Sequence, residues 1–269
     1  MSKVKIGLDA GHGGSQSGTY SCNSTKDKLF EKDYTLELVK LVDERLRANG
    51  FETFLTRSKD VNPGNVSERA RMCLKAGCKY AVSIHFNGFE TESANGCEVF
   101  VPYAEKSAGI EAGYYNYLGK FFPRRAPFAR CNNYSNRNET FDKRLNLATR
   151  KFDSWSTEKK EYFGFIRTAW AGGLSADLLE VCFLTNQKDF DVYTKNKAAI
   201  ADAIARSIVE GYGEKYKWIA VKEEPKDEAK SDAIYRVQVG AYSEKKNAEA
   251  LVTKLKKAGF EGFVVQGKK

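Results

Sequence analysis

The sequence predicts an α/β fold, a mostly parallel twisted sheet flanked by helices, followed by a small C-terminal β-α-β module. Three observations carry this prediction. From residue 4 to about residue 213, apolar runs of strand length alternate with segments whose apolar residues recur every three to four positions. The early helical segments stop at glycine, Gly50 and Gly77, as helices often do. A charged stretch over residues 219–232 then precedes a second, much shorter alternation.

Each element follows in order. "VKIGLD" (4–9) is a buried strand. "KDYTLELVKLVDERLRAN" is a helix, with Tyr34, Leu38, Leu41, Val42 and Leu46 on one face. "FETFLT" is a second strand and "SERARMCLKA" a second helix. "YAVSI", "CEVFVP" and "ADLLEVCFL" are further strands, and "QKDFDVYTKNKAAIADAIARSIVEGYG" is a long closing helix. Residues 114–171 are less regular and rich in Arg, Asn and aromatics; such an insertion either borders a site or is a surface excursion. In the tail, "YRVQVGAY" and "FEGFVVQ" are strands around the helix "SEKKNAEALVTKLKKAG". Ser243 is its expected N-cap, Ala250, Leu251 and Leu255 share a face, and Gly259 is the stop. The expected division is residues 1–215, a linker over 216–232, and a module over 233–269 that lies near the size below which a chain rarely folds unaided.

Composition narrows the function. The net charge of +9 favours polyanionic partners: nucleic acid, anionic lipid or an anionic wall polymer. There is no basic stripe with interleaved aromatics, so specific nucleic-acid binding is not expected. No apolar stretch approaches the roughly 20 residues of a membrane span, so membrane insertion is not expected. The first residues lack a signal-peptide pattern, so synthesis in the cytoplasm without a signal peptide is expected. Six cysteines contain no Cys-x-x-Cys pair; Cys97 and Cys182 lie in apolar runs, and buried free thiols are expected.

The chain holds only two histidines, His12 in "GLDAGHGG" and His85 in "YAVSIHFNG". Each follows an apolar strand, and open parallel sheets bind ligands beyond the carboxyl ends of their strands. Glycines around His12 allow close backbone approach. Imidazoles are common zinc ligands, and a catalytic zinc takes three protein ligands. With no third histidine, the third donor is a carboxylate or a thiolate. Glu31, at the start of the long first helix, is one candidate, although an acid there also complements the helix dipole. Glu180 stands in the apolar run "SADLLEVCFLTN", where an unpaired charge is costly; the alternative is an outward residue of a half-buried strand.

The ordered segments "GLDAGHGG", "EKDYTLELVKLVDERLRANGFETFLTR", "SERARMCLKAGCKYAVSIHFNG" and "LLEVCFLTN" together resemble the motifs of zinc-dependent N-acetylmuramoyl-L-alanine amidases of type 3, over about residues 3–212. The resemblance implies zinc ligands at His12, Glu31 and His85 and a catalytic glutamate at Glu180. It further implies hydrolysis of the amide between muramic acid and L-alanine in peptidoglycan, with Glu180 as general base and then proton donor. Cys182 replaces the family's usual glycine, and residues 121–160 match no part of the pattern. Arg57 and Asn87, just past strand ends, are expected to orient ligands or substrate, unless Arg57 pairs with Asp60 or another nearby acid. The tail resembles half of a SPOR module, a peptidoglycan-binding unit, which implies a homodimer that completes the sheet or docking on its own catalytic domain. The resemblance to endolysins and autolysins implies action at the wall after release through lysis or a holin-type lesion. A zinc peptidase of stem peptides and a non-catalytic wall-binding protein are the alternatives.

Overall fold

The predicted alternation folds into one seven-stranded sheet whose strand order is set by crossovers through helices. The computed structural model describes residues 3–22, 30–132, 140–142, 145–153, 163–218, 240, 242–259 and 264. In chain order these form β1 (Lys5–Ala10), α1 (Glu31–Ala48), β2 (Glu52–Leu55), α2 (Val66–Lys75), β3 (Tyr80–Asn87), β4 (Cys97–Phe100) and α3 (Gly109–Tyr117). There follow β5 (Arg124–Asn132), β6 (Thr140–Asp142), β7 (Leu145–Asn146), β8 (Lys151–Phe152), α4 (Gly164–Ala171), β9 (Ser175–Phe183), α5 (Gln187–Gly211) and α6 (Lys245–Lys257).

The sheet runs β2-β1-β3-β9-β4-β5-β6. The first four strands in that order are parallel, and β4 runs antiparallel to β9. β5 is parallel to β4 and β6 antiparallel to β5. The mostly parallel sheet matches the expectation, and the insertion contributes two of its strands. Alternation along the strands sends side chains to two different cores. Ile6, Leu8, Val82, Ile84, Phe86, Leu179 and Val181 pack under residues of α1, α3 and α5. On the opposite face Ala81 and Ala176 meet α2 and α4, while Leu178 and Phe100 meet Ile166 of α4. A buried ion pair from Arg45 Nε to Asp202 Oδ1 at 3.0 Å ties α1 to α5, and the Tyr216 hydroxyl donates to the same oxygen at 2.6 Å.

All six cysteines are free and buried. No helix among the described residues is long and apolar enough to cross a membrane. The chain divides into two units, Met1–Val221 and Lys222–Lys269. In the second unit α6 matches the predicted tail helix, but Glu244, not Ser243, is the N-cap residue, and its side chain makes no cap bond. The half-buried face is Ala248, Leu251, Val252 and Leu255, whereas Ala250 is exposed. The two tail strands fall almost wholly outside the described residues.

Candidate metal centre

The site forms where the carboxyl ends of β1 and β3 meet the first turn of α1. His85 lies within β3, not beyond it, and is half-buried. His12 follows β1 in a left-handed conformation with φ of 62°, costly for a residue with a Cβ and held by its surroundings. Gly11 is required beside it: a Cβ there would lie 2.4 Å from His85 Cε1. Glu31 is the first residue of α1 and is buried.

These three residues, far apart in sequence, converge. Glu31 Oε1 lies 2.9 Å from His85 Nδ1, and Glu31 Oε2 lies 3.1 Å from His12 Nε2. The two rings stand edge to face with centroids 5.0 Å apart. One donor atom from each residue falls within 4.8 Å of the others. Backbone N–H groups fix the carboxylate: Phe86 donates to Oε1 and Thr19 to Oε2, each at 3.0 Å. Thr19 belongs to a loop that docks on α1 through Glu31 N to Thr19 O, 2.8 Å, and Lys32 N to Ser17 O, 3.1 Å. Gly18 makes that docking possible, since with φ of 70° a Cβ would sit 2.4 Å from Glu31 Oε2.

Burial favours protonated Glu31, but hydrogen bonds to His12 and His85 outweigh it and hold the carboxyl well below the usual range. Burial likewise disfavours a charged His85, yet the bond to Glu31 lifts it to about 9. Two imidazoles sharing one ionised carboxylate form a donor set for a divalent metal that prefers nitrogen and oxygen ligands.

Glu180 stands beside this cluster. It is the register partner of His85 across β3 and β9, so the two side chains leave the same face of the sheet. Its Oε2 is buried without a hydrogen-bond partner among the described residues. Burial pushes its carboxyl up to about 8, with the charges of Glu31 and Glu98 adding and that of His85 opposing. An orphaned buried acceptor beside His85 fits a site that also takes in a metal ion and its water.

Arg57 and Asn87 sit at the expected edge, each engaged with protein. Arg57 is buried: its Nε donates to Ala10 O and its Nη2 to Gly11 O, both at 2.9 Å, and Nη2 also reaches Lys32 O at 2.7 Å. Asp60 pairs with Lys32 at 2.6 Å and accepts from Gly14 N at 2.7 Å, and Arg57 acts on it through charge alone. Asn87 Nδ2 donates to Glu98 Oε1 at 2.8 Å.

The sequence reading missed Asp9 and Arg69, which lie beneath the His12 loop. Buried Asp9 accepts from Ser83 Oγ at 2.6 Å, from Thr56 Oγ1, and from Arg69 Nη1 at 3.2 Å. Arg69 also donates to Ala10 O at 2.9 Å and to His12 O at 2.7 Å. Two guanidiniums thus grip the carbonyls on either side of Gly11. The signal for Asp9 was present, a charge ending an apolar strand. Arg69 on a helix had none.

Comparison with known proteins agrees with the fold. Residues 6–210 match the profile of the N-acetylmuramoyl-L-alanine amidase family, and the chain belongs to that family. Residues 203–268 match the SPOR domain, a match that begins inside α5. A curated relative, the "Probable cell wall amidase LytH" of Staphylococcus aureus, is 37% identical over 95 residues, 35% of this chain and 30% of that protein. The chain thus spans under a third of that relative's length. Cwp6 from Clostridium difficile shares the fold with a TM-score of 0.60 and 21% identity, over 78% of this chain and 29% of that one. The catalytic domain of CwlV, an N-acetylmuramoyl-L-alanine amidase from Bacillus (Paenibacillus) polymyxa, does so with a TM-score of 0.52 and 22% identity, over 79% and 99%.

Proposed function

We propose that this chain is a zinc-dependent hydrolase that cleaves the amide between the lactyl group of N-acetylmuramic acid and L-alanine in peptidoglycan. The observation that carries the reading is the convergence of His12, Glu31 and His85 with Glu180 in register beside them. Family membership supports the choice of substrate.

His12, Glu31 and His85 would hold the ion. Bound there, zinc supplies a Lewis acid that polarises the scissile carbonyl and brings a water pKa toward about 7. Glu180 takes the proton of the attacking water and returns it to the departing amine. Arg57 fixes the backbone carbonyls that aim His12, and Asn87 acts through Glu98.

Residues 1–215 form the catalytic part, 216–232 the linker and 233–269 the wall-binding module. The SPOR match supports peptidoglycan as the tail's ligand; pairing with a second chain is the proposed means of completing its sheet. In this reading the protein lyses walls as an endolysin or autolysin. Light scattering of the full chain against a form ending near residue 216 tests the pairing: a dimer that becomes a monomer on truncation supports it, and a full-length monomer at micromolar concentration contradicts it.

Digestion of purified wall followed by end-group analysis tests the activity. New amino termini on L-alanine are the expected product. New termini elsewhere in the stem would mean a peptidase, and none would mean a binding protein.

A further inference from the structure

β5 belongs to the irregular stretch of the sequence, yet it borders the site. Glu98 of β4 stands opposite Glu180 in the antiparallel pairing of β4 with β9. Two carboxylates so placed repel unless one is compensated. Compensation comes from β5. Arg130 Nε approaches Glu98 Oε2 at 2.9 Å and Arg125 Nε approaches Oε1 at 3.1 Å, while Asn87 donates to Oε1. Glu98 is only 3% exposed, so it is committed to this internal role.

The neighbouring arginines differ in their employment. Arg124 donates to Tyr115 O at 2.7 Å and lies over the Tyr115 ring, so it serves packing against α3. The Arg125 guanidinium lies over the ring of Phe183, 4.9 Å from its centroid, three residues beyond Glu180. Its Nε has no aligned hydrogen-bond acceptor although Glu98 is near. Among the described residues its Nη groups make no hydrogen bond, and the side chain is 31% exposed. A guanidinium backed by an aromatic ring, flanked by one carboxylate and open to solvent, is built to take a second carboxylate through two parallel N–H bonds.

We propose that Arg125 is a specificity-determining residue that binds a free carboxylate on the peptide limb of the substrate. This rests on the amidase reading. In that substrate the carboxyl of muramic acid is consumed by the scissile amide and the sugars otherwise carry hydroxyl and acetamido groups. Every remaining carboxylate is therefore on the peptide. Glu98 and Phe183 set the position of the guanidinium, and Arg130 holds Glu98 in place.

The test uses two soluble muramoyl peptides that differ only in whether the carboxylate nearest the scissile bond is free or amidated. kcat and KM are measured for the zinc-loaded wild-type chain, Arg125→Lys and Arg125→Gln, with zinc content as a control. Loss of one charge-assisted contact corresponds to about a tenfold change. The wild type should favour the free acid by about tenfold, chiefly through KM, and Arg125→Gln should bring that ratio to about one. Arg125→Lys, which keeps charge but loses the fork, should fall between, and it decides the matter if Arg125→Gln does not fold. Turnover by the wild type without discrimination, or a ratio unaltered by both variants, overturns the role of Arg125 alone. No turnover of either peptide by the zinc-loaded wild type overturns the amidase reading and this proposal with it.

Discussion

His85 and Glu180 face each other across β3 and β9, one imidazole and one carboxyl on the same sheet face, with Glu180 Oε2 unpartnered. In the proposed mechanism this pairing separates two jobs: His85 reaches Glu31, and Glu180 offers its unpartnered oxygen to the reacting molecules. Glu180→Gln preserves shape and removes the proton carrier. We expect zinc retained and kcat lower by about 10²- to 10⁴-fold, the usual worth of a general acid–base.

The same residue dictates a pH effect on the metal-free protein. Its folded-state pKa of about 8 stands above the ordinary 4.5, so the folded form binds the proton more tightly than the unfolded chain. That stabilisation is complete below about pH 4.5 and disappears as the pH rises through 8. Thermal melts of the metal-free wild type and Glu180→Gln should therefore diverge from pH 5 to 8, the variant gaining relative stability. Parallel melting curves across that range would contradict the assignment.

Gly11→Ala tests whether the glycine exists for the His85 ring. The added Cβ meets the ring at 2.4 Å, so the imidazole or the strand must shift. Overpacking of this kind costs about 1–3 kcal/mol, and a displaced ligand costs metal affinity about 10–100-fold. Zinc titration and urea denaturation of the variant measure both. Gly50→Ala, which meets no neighbour and differs only in needing a positive φ, should lose stability without losing metal.

Arg69→Met leaves Asp9 buried with two hydroxyl donors and without its guanidinium hydrogen bond, and takes the Arg69 donor from the His12 carbonyl, while Ala10 O keeps Arg57 Nε. Breaking a buried ion pair from one side costs about 3–5 kcal/mol. We expect that loss in chemical denaturation, together with weaker zinc binding. Asp9→Asn with Arg69→Met should recover part of the stability, because no uncompensated charge then remains.

Much of this architecture is legible in the residues, and what is not has physical reasons. β1 and β9 are apolar runs buried on both faces and α1, α2 and α5 carry a buried helical face, so run length and periodicity find these elements and β2 within a residue or two. β5 does not announce itself: in "RRAPFARCN" Arg125 and Arg130 turn toward Glu98, Arg124 is spent on Tyr115, and Pro127 interrupts the run. α4, at eight residues, is too short to display a helical period. The direction of β4 is set by its partner β9, which no local pattern encodes. In the site, the rarity of histidine exposes His12 and His85, and a charge in an apolar run exposes Glu180. Glu98 in "CEVFVP" carried the same signal and escaped notice because its partners lie in the irregular stretch. Arg69 and Arg125 have no sequence mark, since an arginine spent on buried carbonyls or on an aromatic ring looks like any solvated arginine.

The central claim is that His12, Glu31 and His85 hold one metal ion together. Zinc stoichiometry of the purified wild type and of His12→Ala, Glu31→Gln and His85→Ala tests it most directly, with circular dichroism to confirm folding. The account predicts about one zinc per wild-type chain and strong depletion in each folded variant, while Glu180→Gln stays loaded. Full zinc occupancy in any of the three ligand variants would contradict it.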